Sequence, residues 1–143
     1  MPRSRRSILL DTNVFVAAVK DPRRQTDTLR LILHLVESED VKLVGHELLA
    51  EEMVRYAEEF GSETASWILG ALLGKMRLVA VRENLVRLCR GYVKTPDLAD
   101  VVHAAVCLKA DAVLITNDRH FDRIGDEGII EVWSISEAIE RLL

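Results

Sequence analysis

SILLDTNVFV, residues 7–16, places a carboxylate in the middle of an otherwise apolar segment. Asp11 ends a short run of aliphatic residues, Thr12 and Asn13 follow, and apolar residues resume at Val14. This pattern predicts a strand that runs directly into a helix. In an open parallel sheet, ligands collect where the strands end. The stretch therefore predicts a buried first strand that is followed directly by an acid, Asp11, at the ligand-binding edge of the sheet.

Short apolar runs and longer helical patterns alternate along the chain, which is typical of βα units that build a parallel sheet. The short runs cover residues 8–10, 41–44, 76–81, 112–116 and 129–133, and the helical patterns cover 26–39, 46–60, 62–75, 84–93, 97–110 and 134–142. Ser134 is a predicted N-cap with Glu137 as its capping-box partner. No repeat or Pro/Gly-rich linker divides the chain, so we expect one α/β domain over residues 1–143.

Composition fits a globular, cytoplasmic protein. The chain has 143 residues, of which 49% are hydrophobic and 29% charged, and a formal net charge of −4. No apolar run approaches the ~20 residues of a membrane span, and the basic opening lacks the long apolar segment of a signal peptide. Cys89 and Cys107 lack metal-site spacing and are predicted to be buried thiols.

Several acids follow or precede predicted strands, and each has an ordinary explanation when taken alone. Asp11 precedes a helix and could cap it, while Asp118 lies in a turn. Asp97 and Asp100 have the spacing of an N-cap and an N3 acid. Together, however, these positions border one edge of a parallel sheet. The sequence therefore predicts a carboxylate cluster there.

Asp100 also precedes VVHAAVCL, a nearly apolar helix whose composition indicates burial. A buried carboxylate is costly unless a partner neutralises it. Oxygen ligands of this kind suit Mg²⁺ or Mn²⁺, which bridge to substrate phosphates. The cluster is thus a candidate site for metal-assisted phosphodiester hydrolysis.

Four segments, LLDTNVFV, HELLAEE, DLADVVHAA and LITNDRHF, resemble the PIN-domain family in the same order along the chain. The similarity is strongest to the toxin-type (VapC-like) ribonucleases of prokaryotic toxin–antitoxin pairs. This resemblance implies a three-layer α/β/α sandwich around a parallel five-stranded sheet of order 3-2-1-4-5. It also implies an Mg²⁺- or Mn²⁺-dependent endoribonuclease with an RNA substrate and an antitoxin protein as partner.

The resemblance assigns roles to individual residues. The catalytic metal ligands are Asp11, Glu51, Asp100 and Asp118, and the supporting residues are Asn13, Thr116, Asn117 and Asp97, the last at the rim of the site or only as a cap. The assignment of the family's second acid to Glu51 depends on the spacing within the matching segment. Helical phase instead favours Glu52, so the choice between the two stays open.

Cations near the predicted edge are candidate phosphate contacts, with ordinary surface solubility as the alternative. They are Lys20, Arg23, Arg24 and Arg119. His103, inside the apolar helix, is predicted to be a packing residue, and His120 a loop residue.

Three other interpretations compete with a nuclease. A haloacid-dehalogenase-like phosphatase needs an acid where this chain has Asn13, and a receiver domain needs an acceptor Asp after the third strand, where the chain reads VAVREN. A PIN-like module that binds RNA or protein without catalysis remains the alternative. Residues 50–60 and 62–75 are apolar enough to predict a homodimer surface, with packing on the sheet as the competing explanation.

Overall fold

A parallel five-stranded sheet of order β3-β2-β1-β4-β5 forms the middle of the protein. The computed structural model describes residues 5–20 and 26–143. The strands are β1 (Arg6–Leu10), β2 (Val41–Gly45), β3 (Arg77–Leu78), β4 (Val113–Ile115) and β5 (Glu131–Trp133). All neighbouring strands pair in parallel. The predicted parallel topology and strand order are therefore confirmed.

Helices flank the sheet and complete the predicted three-layer α/β/α sandwich. They are α1 (Thr12–Val19), α2 (Asp27–Glu37), α3 (Glu47–Phe60), α4 (Glu63–Lys75), α5 (Glu83–Arg90), α6 (Leu98–Ala110), α7 (Asp122–Asp126) and α8 (Ile135–Leu142). A short 3₁₀ turn, Arg119–Phe121, precedes α7. None of these helices is long and apolar enough to cross a membrane.

Strand β1 lies at the centre of the sheet, and its last three residues are buried. It pairs with β2 on one side and β4 on the other, and Ile8, Leu9 and Leu10 are at most 1% exposed. A strand covered on both faces needs an uninterrupted apolar run. The sheet pairing continues one step beyond β1, because the Asp11 amide donates to the Ile115 carbonyl at 3.1 Å. Asp11 is therefore held beside the end of β4.

Two outer strands are shorter than the sequence predicts. Strand β3 has a single neighbour in the sheet and both of its residues are exposed, so only residues 77–78 of the predicted 76–81 form a strand. Strand β5 begins at Glu131, and the amide of Ile129 is bonded to the carbonyl of Ile124 within α7 instead of to a neighbouring strand.

Side-chain caps determine where helices α6 and α8 begin. Asp97 accepts a hydrogen bond from the Ala99 amide at 3.0 Å, as its capping pattern predicts, and starts α6. Ser134 accepts from the Glu137 amide at 3.1 Å and starts α8. Both cysteines are buried free thiols. The start of α6 matters most, because it places Asp100 in the first turn of a helix whose middle turns are buried.

Candidate metal centre

Asp11 is buried at the point where β1 meets α1. Its carboxyl side chain makes no capping hydrogen bond to that helix. Instead Oδ2 accepts from the Thr116 hydroxyl at 2.7 Å and from Asn13 Nδ2 at 3.3 Å. The residue is 4% exposed. Helix capping therefore does not explain this acid.

Thr116 joins three of the predicted residues through one hydroxyl group. Its Oγ1 donates to Asp11 and accepts from the Asp118 amide at 2.9 Å and from Asn13 Nδ2 at 3.3 Å. The next residue, Asn117, accepts from the Ile135 amide at 2.9 Å and so ties the loop to α8. The two residues that precede Asp118 are thus both held by hydrogen bonds.

Asp100 lies between Asp11 and Asp118 and belongs to two groups of candidate ligand atoms. One group contains Asp11, Asp100 and His103, and the other contains Asp100, Asp118 and His120; within each group the ligand atoms lie within 4.8 Å of one another. The Asp100 side chain is 13% exposed. This geometry makes Asp100 the shared carboxylate of the cluster.

Asp118 occupies the N-cap of the 3₁₀ turn at the open side of the cluster. Its Oδ1 accepts from the His120 amide at 2.9 Å and lies 2.9 Å from His120 Nδ1. His120 Nδ1 is also 3.9 Å from Asp100 Oδ2, and its side chain is 50% exposed. His120, predicted to be a loop residue, therefore stands between two acids.

Burial and charge separate the protonation behaviour of the two inner carboxyls. Burial raises the pKa of Asp11, but the neighbouring His103 ring and the Thr116 hydroxyl outweigh it, so the pKa lies below its ordinary value. Burial and the charge of Asp11 raise the pKa of Asp100 to about 6. Asp11 is therefore the firmly ionised member of the pair.

His103 has a larger part in the site than the sequence predicts. It is completely buried, as expected of a packing residue, but its Nε2 lies 3.3 Å from Asp11 Oδ1 and 4.0 Å from Asp100 Oδ1. Its Nδ1 lies 2.7 Å from Nε2 of His46, the N-cap residue of α3. The signal for His103 was present in the sequence, because it follows Asp100 by three positions and so shares its helix face. Nothing in the sequence pointed to His46.

Three other acids considered from the sequence are not members of these two groups. Glu51 is exposed and Glu52 is half-buried, and neither belongs to a group of candidate ligands among the residues that the structure describes. Asp97 is exposed and acts as the cap of α6.

Two of the predicted cationic contacts, Lys20 and Arg119, are exposed and belong to neither group of candidate ligands. Arg119 has a 92% exposed side chain that pairs with Asp122 at 3.3 Å. Lys20 is exposed at the end of α1, and Arg23 and Arg24 lie outside the described residues.

The chemistry of the cluster fits a divalent cation. Within residues 5–20 and 26–143, the ion-pair partners of the three aspartates are histidines rather than Lys or Arg. Among the described residues, the buried Asn13 Oδ1 beside them has no hydrogen-bond partner. Burial and the charge of Asp11 make Asp100 costly to ionise, and a hard cation with oxygen ligands would remove that cost.

Comparisons with known proteins agree with this architecture. The family model described as the PIN domain matches residues 8–127. No curated protein sequence matches the chain.

Solved structures share the fold at low sequence identity. VapBC2 from Rickettsia felis, bound to a DNA fragment from their promoter, is 15% identical with a TM-score of 0.60, over 90% of this chain and 98% of that chain. VapBC-1 from nontypeable Haemophilus influenzae is 22% identical with a TM-score of 0.59, over 91% and 98%. FitAcB from Neisseria gonorrhoeae is 19% identical with a TM-score of 0.56, over 90% and 98%.

Proposed function

The chain belongs to the PIN-domain family, and from this premise we propose that it is a metal-dependent endoribonuclease whose active centre is the carboxylate cluster at the end of β1. The observation that carries the proposal is the buried Asp11 beside Asp100, with histidine but no Lys or Arg as ion-pair partner among the described residues. The proposed metal ligands are Asp11, Asp100 and Asp118, with Glu51 as a fourth acid assigned by the family resemblance.

The residues of the chain have separable tasks in this mechanism. Thr116 and Asn13 orient the Asp11 carboxylate through their hydrogen bonds. Asp100 and Asp118 hold the open side, where a phosphodiester would enter. A bound Mg²⁺ or Mn²⁺ ion supplies an activated water and stabilises the charge that develops on the phosphate. Arg119, which is exposed, and the sequence-predicted contacts Arg23 and Arg24 are proposed to contact neighbouring phosphates.

We further propose that the protein is the toxin of a toxin–antitoxin pair. The resemblance to toxin-type ribonucleases supports this role, as does the similarity in fold to the VapBC and FitAcB structures. A groove of 590 Å³ beside His46, with the half-exposed Leu78 and Leu98 in its lining, offers an apolar surface for an antitoxin segment. Exposed apolar patches rimmed by polar residues are typical of surfaces that bind another protein.

Cleavage of a labelled RNA pool by the purified chain tests the proposal. We expect cleavage in Mn²⁺ or Mg²⁺ that is lost in EDTA and in Asp100→Asn. The matched control is Asp126→Asn, an exposed acid of α7, which should cleave like wild type. Intact RNA despite measurable metal binding would favour the alternative, a PIN-like module that binds RNA or protein without catalysis. Absence of metal binding would overturn the proposal itself.

A further inference from the structure

Two buried histidines form a contact that the proposed mechanism does not use. His46 and His103 are 5% and 0% exposed, and His46 Nε2 lies 2.7 Å from His103 Nδ1. The pair connects the start of α3 with the middle of α6. At this distance one of the two nitrogens must donate a proton and the other must accept it.

The backbone of α3 decides which nitrogen donates. His46 is the N-cap of the helix, and its Nδ1 accepts a hydrogen bond from the Leu49 amide at 3.3 Å. An accepting Nδ1 carries no proton. Burial also lowers the pKa of His46 to about 3, so its ring is neutral. The single ring proton of His46 is therefore on Nε2, which donates to His103.

The same reasoning continues to the second ring. Because His103 Nδ1 accepts from His46, the proton of a neutral His103 lies on Nε2. That atom faces Asp11 Oδ1 at 3.3 Å and Asp100 Oδ1 at 4.0 Å, and no other acceptor among the described residues pairs with it. His103 consequently presents an N–H group to the carboxylates and has no lone pair for a cation or for proton abstraction on that side.

We propose that His46 is a positioning residue, which fixes the tautomer of His103 so that its Nε2–H group is directed at the Asp11 and Asp100 carboxylates. This inference rests on the proposed function, because it concerns the same carboxylate centre. Hydrogen-bond donors behind ligating carboxylates orient them, and loss of such donors typically weakens metal binding by about 10- to 100-fold.

Two substitutions separate this task from helix capping. His46→Gln places an amide nitrogen near the position of Nε2, so it keeps a donor for His103 but loses the capping acceptor. His46→Asn keeps a good capping oxygen but is too short to reach His103. If His46 only caps α3, then Asn is the conservative replacement. If His46 positions His103, then Gln is the conservative replacement.

The first readout is the ring tautomer of His103 in the metal-free full chain, observed by long-range ¹H–¹⁵N NMR. We expect only the Nε2–H tautomer of His103 in wild type and in His46→Gln. In His46→Asn, we expect that the Nε2–H tautomer is no longer the single form observed. An Nδ1–H form in wild type would overturn the inference. This result does not depend on whether the protein cleaves RNA.

The second readout is the affinity for Mn²⁺ alone, measured by calorimetry. We expect His46→Asn to bind Mn²⁺ about 10- to 100-fold more weakly than wild type, and His46→Gln to stay within about threefold. The reverse order would overturn the inference. If wild type shows the expected His103 tautomer but binds no Mn²⁺, the proposed function is overturned, whereas the inference about the two histidines stands.

Discussion

The surrounding protein lowers the pKa of Asp11 and raises the pKa of Asp100. Hydrogen bonds from Thr116 and Asn13 favour the ionised form of Asp11, whereas burial and the charge of Asp11 disfavour the ionised form of Asp100. A cation bound between the two carboxyl groups would offset the cost of ionising Asp100.

The raised pKa of Asp100 predicts how the metal-free protein responds to pH. The folded-state pKa, about 6, is above the ordinary value of 3.8. Ionised Asp100 therefore destabilises the fold at pH above 6, and this penalty disappears as the pH falls toward 3.8. In EDTA near pH 7.5, Asp100→Asn should increase the free energy of unfolding by about 1 to 2 kcal/mol.

Urea unfolding at several pH values checks this prediction, with Asp126→Asn as the surface control. The advantage of Asp100→Asn should shrink steadily below about pH 6. A variant that is less stable than wild type near pH 7.5 would contradict the environment described for this carboxyl.

Thr116 offers a second prediction, because one hydroxyl bonds to Asp11, Asn13 and the Asp118 amide. Thr116→Val keeps the shape of the side chain and removes that hydroxyl. We expect Mn²⁺ affinity to fall by about 10- to 100-fold, and calorimetry would measure it. Thr116→Ser retains the hydroxyl and should bind within a few-fold of wild type. Equal affinity of the Val and Ser variants would show that the hydroxyl does not orient the site.

Among the helices, α6 shows both the strength and the limit of prediction from sequence. Its apolar composition and the Asp97–Asp100 spacing predicted a buried helix with a capped, acidic first turn, and the Asp97 cap is present. The role of His46 was not predictable in this way. Its contact with His103 joins residues 57 positions apart, and that pairing depends on how α3 and α6 pack.

Helix α3 carries the least settled of the predicted acids. Segment spacing assigns Glu51, which is exposed, while Glu52 is half-buried. If the family resemblance assigns the second acid correctly, Glu51→Gln should reduce RNA cleavage by at least about tenfold, since loss of a single catalytic group commonly costs that much. Glu52→Gln is the matched control and should retain activity. Cleavage rates of both variants decide the choice, and the opposite order would assign the acid to Glu52.

Across the complete fold, the arrangement of strands was more predictable than their lengths. Alternating strand and helix patterns indicate a parallel sheet, and a parallel sheet brings strand ends such as Asp11 and Thr116 to one edge. Edge strands carry a weaker signal because they have one neighbour and little burial, which is why β3 is shorter than its apolar run. The sequence could not fix distances within the cluster, since those depend on side-chain packing between elements distant in the chain.

An exposed apolar surface on α4 leads to a prediction about assembly. Trp67 is 63% exposed, and Phe60 at the end of α3 is 37% exposed. Large exposed aromatic side chains are enriched at protein interfaces. We expect a homodimer in solution, and Trp67→Glu should convert it to a monomer without loss of thermal stability. Light scattering after size exclusion measures the mass, with Ser136→Glu on α8 as the control. A dimer that persists in Trp67→Glu would place the interface elsewhere.

The location of a bound cation tests the carboxylate centre most directly. A crystal of the protein soaked in Mn²⁺ would reveal the ion through its anomalous scattering. The structure predicts a peak within coordination distance of the Asp11 and Asp100 carboxylates, with His103 Nε2 outside the coordination sphere. A peak bonded to His103 Nε2 would contradict the assigned tautomer, and a well-ordered site with no peak among the three aspartates would contradict the metal centre.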